Sequence, residues 1–314
     1  MLGKTAGGLF WMFRYLERSE NTARLIEAGQ HIALTQPASY GDEWASVLKS
    51  AGSYASYVNH HGEDILHDRA IGWMLRSRDN PFSILNMAAA ARENAKLVRT
   101  ALTRGVWEAV NENWLTLRDA LARKVSERDL PDVLALIRQR SAYVRGALNG
   151  TMLRNEIYDF ARIGTFLERA DNTARILDVK YYVLLPSVVS VGTSIDNVQW
   201  QTILRSVSAE GGFHMTYGRD ARPREIAQFL ILDKRMPRSL AFCVHKLQEN
   251  FYYLYTGSES HLLCHDLCDQ LESHTTSRTI DDIFDSCLHE FITNVFQSLN
   301  KLGSQTEIDY RFHN

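Results

Sequence analysis

A chain of 314 residues with 35 Lys and Arg against 37 Asp and Glu has a formal charge of −2 and is long enough to bury a large core. Near-neutrality argues against a nucleic-acid partner, which usually leaves a basic footprint, and no window holds the roughly 18 apolar residues of a membrane span. The segment Met1 to Gly8 lacks the pattern of a signal peptide, and four cysteines, all in the second half and without a disulfide-like spacing, point to a reducing, cytoplasmic setting.

Residues 9 to 34 contain no proline and are rich in Leu, Ala, Glu and Arg, which predicts one long helix. At about 100° per residue, Glu17, Glu20, Asn21 and Arg24 share one arc of it, with Phe10 and Phe13 above and Ala28 below. A polar stripe closed at both ends by apolar side chains is expected to be buried. Further on, His60, His61, Glu63, Asp64, His67 and Asp68 form the densest group of ligand-type residues. Their spacing fits no single helix face and Gly62 marks a turn, so they read as a solvated loop. Asn80-Pro81 reads as a helix start with proline in the first turn.

The second half opens with Met152-Leu-Arg154-Asn-Glu156, an arginine and an acid expected near the mouth of a polar pocket. Residues 166 to 177 then repeat residues 15 to 26, with seven of twelve positions identical. The same helical arithmetic groups Glu168, Asp171, Asn172 and Arg175, with Ala161 and Gly164 above and Val179 below. The only strongly β-branched run, Ser187 to Ser194, follows Pro186 and precedes a helix start at Asp196-Asn197, so it reads as a loop. Arg219, Arg222, Arg224, Arg235 and Arg238 alternate with Asp220, Glu225 and Asp233 as a mixed charged face, and Met236-Pro237 reads as another helix start. His261, Cys264, His265 and Cys268 are spaced as a helical zinc patch would be, although cysteine serves as well as a small buried residue. No phosphate-binding glycine loop and no nucleophile elbow is present.

Repetition extends beyond the long helices. Trp44 to Ser50 is echoed by Trp200 to Ser206, Pro81-Phe-Ser-Ile84 by Pro237-Arg-Ser-Leu240, and Glu93-Asn94 by Glu249-Asn250. These echoes are offset by 156 residues, against 151 for the long helices. The expected fold is therefore an all-α bundle of about a dozen helices. Its two half-bundles, residues 1–150 and 151–314, would be related by a pseudo-twofold axis and packed as one compact domain, with the polar stripes facing one another.

A buried carboxylate must be paired or bind a ligand. Three readings stay open for the stripes. One is a structural ion-pair network built on the i,i+4 pairs Glu20–Arg24 and Asp171–Arg175. Another is a pocket in which Arg24 and Arg175 grip a carboxylate or other anion. The third is a divalent-metal site of Glu17, Glu20, Glu168 and Asp171.

The run from Leu9 to Arg24 resembles the opening of the bacterial alpha-E domain proteins, a helical family long of unknown function. The likeness continues through Arg92-Glu-Asn-Ala95, Met152 to Glu156, Phe166 to Leu177, Asp233 to Ser239 and Leu288-His-Glu-Phe291, with Ile157-Tyr158 departing from an expected glycine and tryptophan. The resemblance implies company more than chemistry: an ATP-grasp-type ligase and a transglutaminase-like protein as partners in a peptide- or amide-bond-forming system. The family's characteristic acids and arginines fall on Glu17, Arg18, Glu20 and Arg24, and on Glu168, Arg169, Asp171 and Arg175. The expected role is thus a substrate-presenting helical partner of the ligase, not itself an enzyme. The alternative is a carboxylate-based enzyme, with or without a divalent metal, acting on peptides or amides.

Overall fold

The computed structural model describes residues 1–35, 40–183, 194–218, 222–258 and 260–313. All regular structure among them is helical. In the first half α1 (Gly3–Thr35), α2 (Tyr40–Ser50), α3 (Tyr54–His61), α4 (His67–Arg76), α5 (Ile84–Leu97), α6 (Arg104–Ala120) and α7 (Leu130–Thr151) follow in order, with a short 3₁₀ turn at Arg99–Ala101. The second half contributes α8 (Glu156–Val183), α9 (Ser194–Ser206), α10 (Glu210–Tyr217), α11 (Pro223–Ile231), α12 (Leu240–Ser258), α13 (Leu263–Thr276), α14 (Ile280–Asp285) and α15 (Leu288–Asp309). The expected loop at residues 187–193 lies outside the described residues, as do Pro37, Pro186, Arg219 and Asp220 and the side chain of Val179. α9 starts two residues ahead of Asp196.

The two longest helices, α1 and α8, form the most extensive helix–helix contact among the described residues. Their neighbours are arranged alike: α5 and α7 pack on α1 as α12 and α15 pack on α8, while α2 reaches across to α8 and α9 across to α1. Both central helices bury residues on nearly every side. Leu9, Phe10, Met12, Phe13 and Leu16 of α1, with Phe160, Ile163, Phe166 and Leu167 of α8, are in the core. Fully burying one such side chain stabilises the fold by about 1.5–3 kcal/mol. Helices buried on nearly every side belong in the middle of a bundle, and here that burial takes in their polar stripes as well.

The helices meet closely at Gly164, where a Cβ would lie 2.3 Å from the carbonyl oxygen of Phe10. Only glycine allows the backbones to approach that far, and Phe10 lies over the space this leaves.

Pro81 and Pro237 do not sit in the first turn of a helix. Each lies three residues ahead of one, because a serine takes the N-cap: Ser83 Oγ accepts from Asn86 N at 3.3 Å, and Ser239 Oγ accepts from Phe242 N at 3.0 Å. The preceding turn is held by a side-chain acceptor, Asn80 for Phe82 N at 3.0 Å and Asp233 for Arg235 N at 2.8 Å. Pro131 and Pro223, by contrast, do stand in the first turns of α7 and α11.

Candidate functional site

Where α1 crosses α8, both stripes are buried and each helix pairs with the other. Arg169 donates to Glu17 through Nε at 2.8 Å and Nη2 at 2.9 Å, a two-pronged contact. Arg18 donates reciprocally to Glu168 through Nε and, at 2.8 Å, through Nη2. The i,i+4 pairs form as well, Arg24 Nη2 to Glu20 at 2.6 Å and Arg175 Nε to Asp171 at 2.7 Å. Asn21 and Asn172 lie between them, both buried.

Around Glu17 and Glu20 the neighbouring helices add more cations. Arg238, just ahead of α12, donates to Asn21 Oδ1 at 2.8 Å and to Glu20 at 3.1 Å, and lies 3.1 Å from Glu17. Arg145 of α7 is bonded to Glu20 and lies 3.6 Å from Glu17, and Arg24 is also bonded to Ser208. Four guanidiniums therefore face two carboxylates. Burial alone would raise Glu17, but Arg169, Arg238 and Arg145 together hold it well below the usual carboxylate range. For Glu20, burial and the nearby Glu17 are likewise outweighed by Arg238 and Arg145, so it too lies low. Arg238 is fully enclosed: burial drops it to about 10 against the pull of Glu17.

The Glu168 and Asp171 side is assembled differently. Glu168 gains Arg14 at 3.0 Å and, despite burial, is held low by Arg18 and Arg14. Phe82 occupies the repeat-equivalent place of Arg238, its ring 4.9 Å from the Arg18 guanidinium. Phe296 of α15 stands where α7 brings Arg145, stacked 4.5 Å from Arg175. Gly52, at a left-handed φ of 68°, stands in place of Ser208 and offers Arg175 no hydroxyl. A cavity of about 160 Å³ remains, lined by Arg18, Arg175, Asp171, Asn21 and Asn172 among others. That volume is roughly five waters, room for a carboxylate or phosphate group. The amide nitrogens of Asn21 and Asn172 are buried without a hydrogen-bond partner among the described residues, and both residues line it. Burial pushes Asp171 above the usual range; Arg175 opposes this and Glu168 adds to it.

Among the described residues Glu17, Glu20, Glu168 and Asp171 do not form a group with metal-ligand spacing, and each is bonded to a guanidinium. Among the described residues the one His, Cys, Asp and Glu group with metal-like spacing is His67, Asp68 and Glu127, at the surface. Nor do His261, Cys264, His265 and Cys268 form a zinc patch. Cys264 and Cys268 are core residues, and both nitrogens of His265 are engaged, by Leu262 N at 3.3 Å and Tyr310 OH at 3.0 Å. Arg154 and Glu156 are not at the mouth of the stripe. They line a separate cleft at the start of α8, about 18 Å along the helix from Glu168.

Arg145, Arg14, Phe296 and Ser208 were not singled out by sequence. Only Arg238 and Phe82 left a sign, as unlike members of the Pro-x-Ser echo.

Fold and site together define an all-α protein in which two long crossing helices exchange Glu and Arg partners. Over residues 1–310 the chain matches the Alpha-E family, described as a predicted alpha-helical domain with a conserved ER motif. The chain belongs to that family. Glu-Arg occurs at 17–18 and 168–169, on the crossing helices, and also at 127–128. No curated protein and no solved structure matches the chain.

Proposed function

We propose that the protein is a non-catalytic, ligand-presenting partner of an ATP-grasp-type amide ligase, working in a reducing, cytoplasmic setting beside a transglutaminase-like protein. The ligand carries a carboxylate or phosphate group, held in the cavity between Arg18 and Arg175. One observation supports this above the others: among the described residues, donors of Arg175, Asn21 and Asn172 at this cavity are left unbonded, although the carboxylates of Asp171 and Glu168 also line it. Beyond its bond to Asp171, Arg175 makes no further hydrogen bond among the described residues, and the Asn21 and Asn172 amides make none. Bidentate guanidinium and amide donors in a half-enclosed space are the usual means of gripping an oxyanion. The sister site has its Arg238 and Arg145 in contact with Glu17 and Glu20. The ligase partnership comes from the family resemblance.

The test is calorimetric titration with inorganic phosphate and with succinate, on the parent and on Phe82→Arg. Phe82 is 37% exposed, so the change leaves the fold intact while placing a guanidinium where Arg238 stands in the sister site. Binding of one probe by the parent, weakened at least tenfold in the variant, is the expected result. Equal binding by both proteins, or by neither, would remove this reading. For the partnership, the protein should alter substrate affinity or product yield of the ligase; absence of both effects counts against it.

A further inference from the structure

A second cleft, of about 740 Å³, lies between the first turns of α8 and the facing side of α12. Two charged side chains of α8 line it without partners. The carboxyl of Asp159, a residue only 5% exposed, makes no hydrogen bond or ion pair among the described residues. Arg162, half-buried one turn further on, makes none either; its guanidinium lies over the Phe166 ring, 4.3 Å from the centroid. The two do not pair with each other. Their neighbours are already engaged: Lys246 with Glu249, and Arg154 with the Met152 and Asn149 carbonyls and over the Tyr158 ring at 3.9 Å.

Holding an acid and a base apart and unpaired in a half-buried cleft is unfavourable for the empty protein. The arrangement is also particular to the second half. Gly8 and Trp11 stand at the repeat-equivalent positions, and Val98 packs so closely on Gly8 that a Cβ would lie 2.5 Å from its Cγ1. The first half fills with packing the place where the second half keeps a cleft.

We propose that this cleft binds a small zwitterion, an amino acid or a peptide end, with its ammonium group on Asp159 and its carboxylate on Arg162. Each ligand charge then meets the side chain that lacks a partner. A ligand with one charge satisfies one side chain and leaves the other buried alone. The groups facing Asp159 fix the pH behaviour. Burial raises it to about 7, Arg162 opposes this, and Glu249 of α12 and Glu156 of α8 add to it. Tyr310, beyond α15, also lies within electrostatic reach, while Lys246 is neutralised by Glu249. An arriving ammonium draws the carboxyl into its ionised form, so binding releases a proton and tightens as pH rises through about 7.

The site is independent of the Arg18 and Arg175 cavity, and the experiment keeps the two apart. Full-length protein is titrated calorimetrically with glycine, β-alanine, 4-aminobutyrate and L-alanyl-L-alanine, with butylamine and butyrate as singly charged controls. At least one zwitterion should bind tenfold or more tightly than both controls, with affinity rising between about pH 6 and pH 8. Asp159→Asn should reduce that affinity at least tenfold and flatten its pH dependence. Arg162→Gln should also reduce it tenfold, with partial recovery in Arg162→Lys, and Phe82→Arg should leave it unchanged. No preference for zwitterions over the controls in the parent protein would overturn the proposal, whatever the variants do. So would a preference that survives both Asp159→Asn and Arg162→Gln.

Discussion

The Glu17 and Glu168 sites begin with the same helix-borne residues and end as different environments. Both have a carboxylate gripped by an arginine of the opposite helix, and an i,i+4 pair one turn below. Around the first, Arg238, Arg145 and Ser208 complete a closed network; around the second, Phe82, Phe296 and Gly52 leave a cavity. The charged motif on the crossing helices therefore does not by itself decide between ion-pair network and pocket. The residues that neighbouring elements bring to it decide.

The largest expected effects test how closed the closed site is. Glu17→Gln leaves Arg169 and Arg238 buried without their shared carboxylate and should cost about 3–5 kcal/mol in denaturant unfolding. Glu168→Gln should cost roughly half of that, since Arg14 and Arg18 are nearer to water. Equal losses would mean that the two sites are energetically alike despite their surroundings. Exchanging the distinguishing residue comes next. Arg238→Phe should destabilise the protein by about 2–4 kcal/mol and open a second anion site. Phe82→Arg should stay within about 1 kcal/mol of the parent, as expected for a partly exposed position.

The pH dependence should be opposite in sign at equivalent positions. Glu20 is held below the ordinary range, so its stabilising contribution is present at neutral pH and is lost as pH falls through its folded-state value. Glu20→Gln should then be less stable than the parent near neutrality, the gap closing in acid. Asp171 is raised, so its neutral form favours folding below the ordinary carboxylate range, and that contribution is lost as pH rises through the folded-state value. Asp171→Asn should gain on the parent as pH rises. Urea unfolding of the three proteins between about pH 3 and pH 8 reads both slopes. The smallest effect compares Arg24→Met with Arg175→Met. The former loses bonds to Glu20 and Ser208 and should cost about 1–3 kcal/mol; the latter loses one, to Asp171, and should cost less than about 1 kcal/mol.

The central helices and the composition of their stripes were legible because helical period and the internal repeat both act locally. So were the i,i+4 pairs. Arg145 was not legible: it reaches Glu20 from α7, 125 residues away, and nothing in its local sequence marks that contact. The one difference within the stripe is Glu20 against Asp171, a single methylene. The opposite pKa shifts arise instead from Arg145 and Arg238, which only tertiary packing delivers. At Pro81 and Pro237 the helix starts three residues later than proline alone indicates, because a serine cap competes with proline for the helix start and wins where its hydroxyl reaches a free N–H. Arg154 and Glu156 are near the stripe in sequence only, because the length of α8 carries the stripe away from them.

The close approach at Gly164 bears on how such a molecule can arise. At repeat-equivalent positions α1 carries Phe10 and Phe13 where α8 carries Ala161 and Gly164, bulk on one side and its absence on the other. Two copies of α1 laid together would set phenylalanine against phenylalanine, and two copies of α8 would leave a hollow. Each helix thus discriminates against its own kind. A dimer of identical units must place the same residue on both sides of its axis, so a seam of this shape becomes available only once the two helices are separately encoded and free to drift apart.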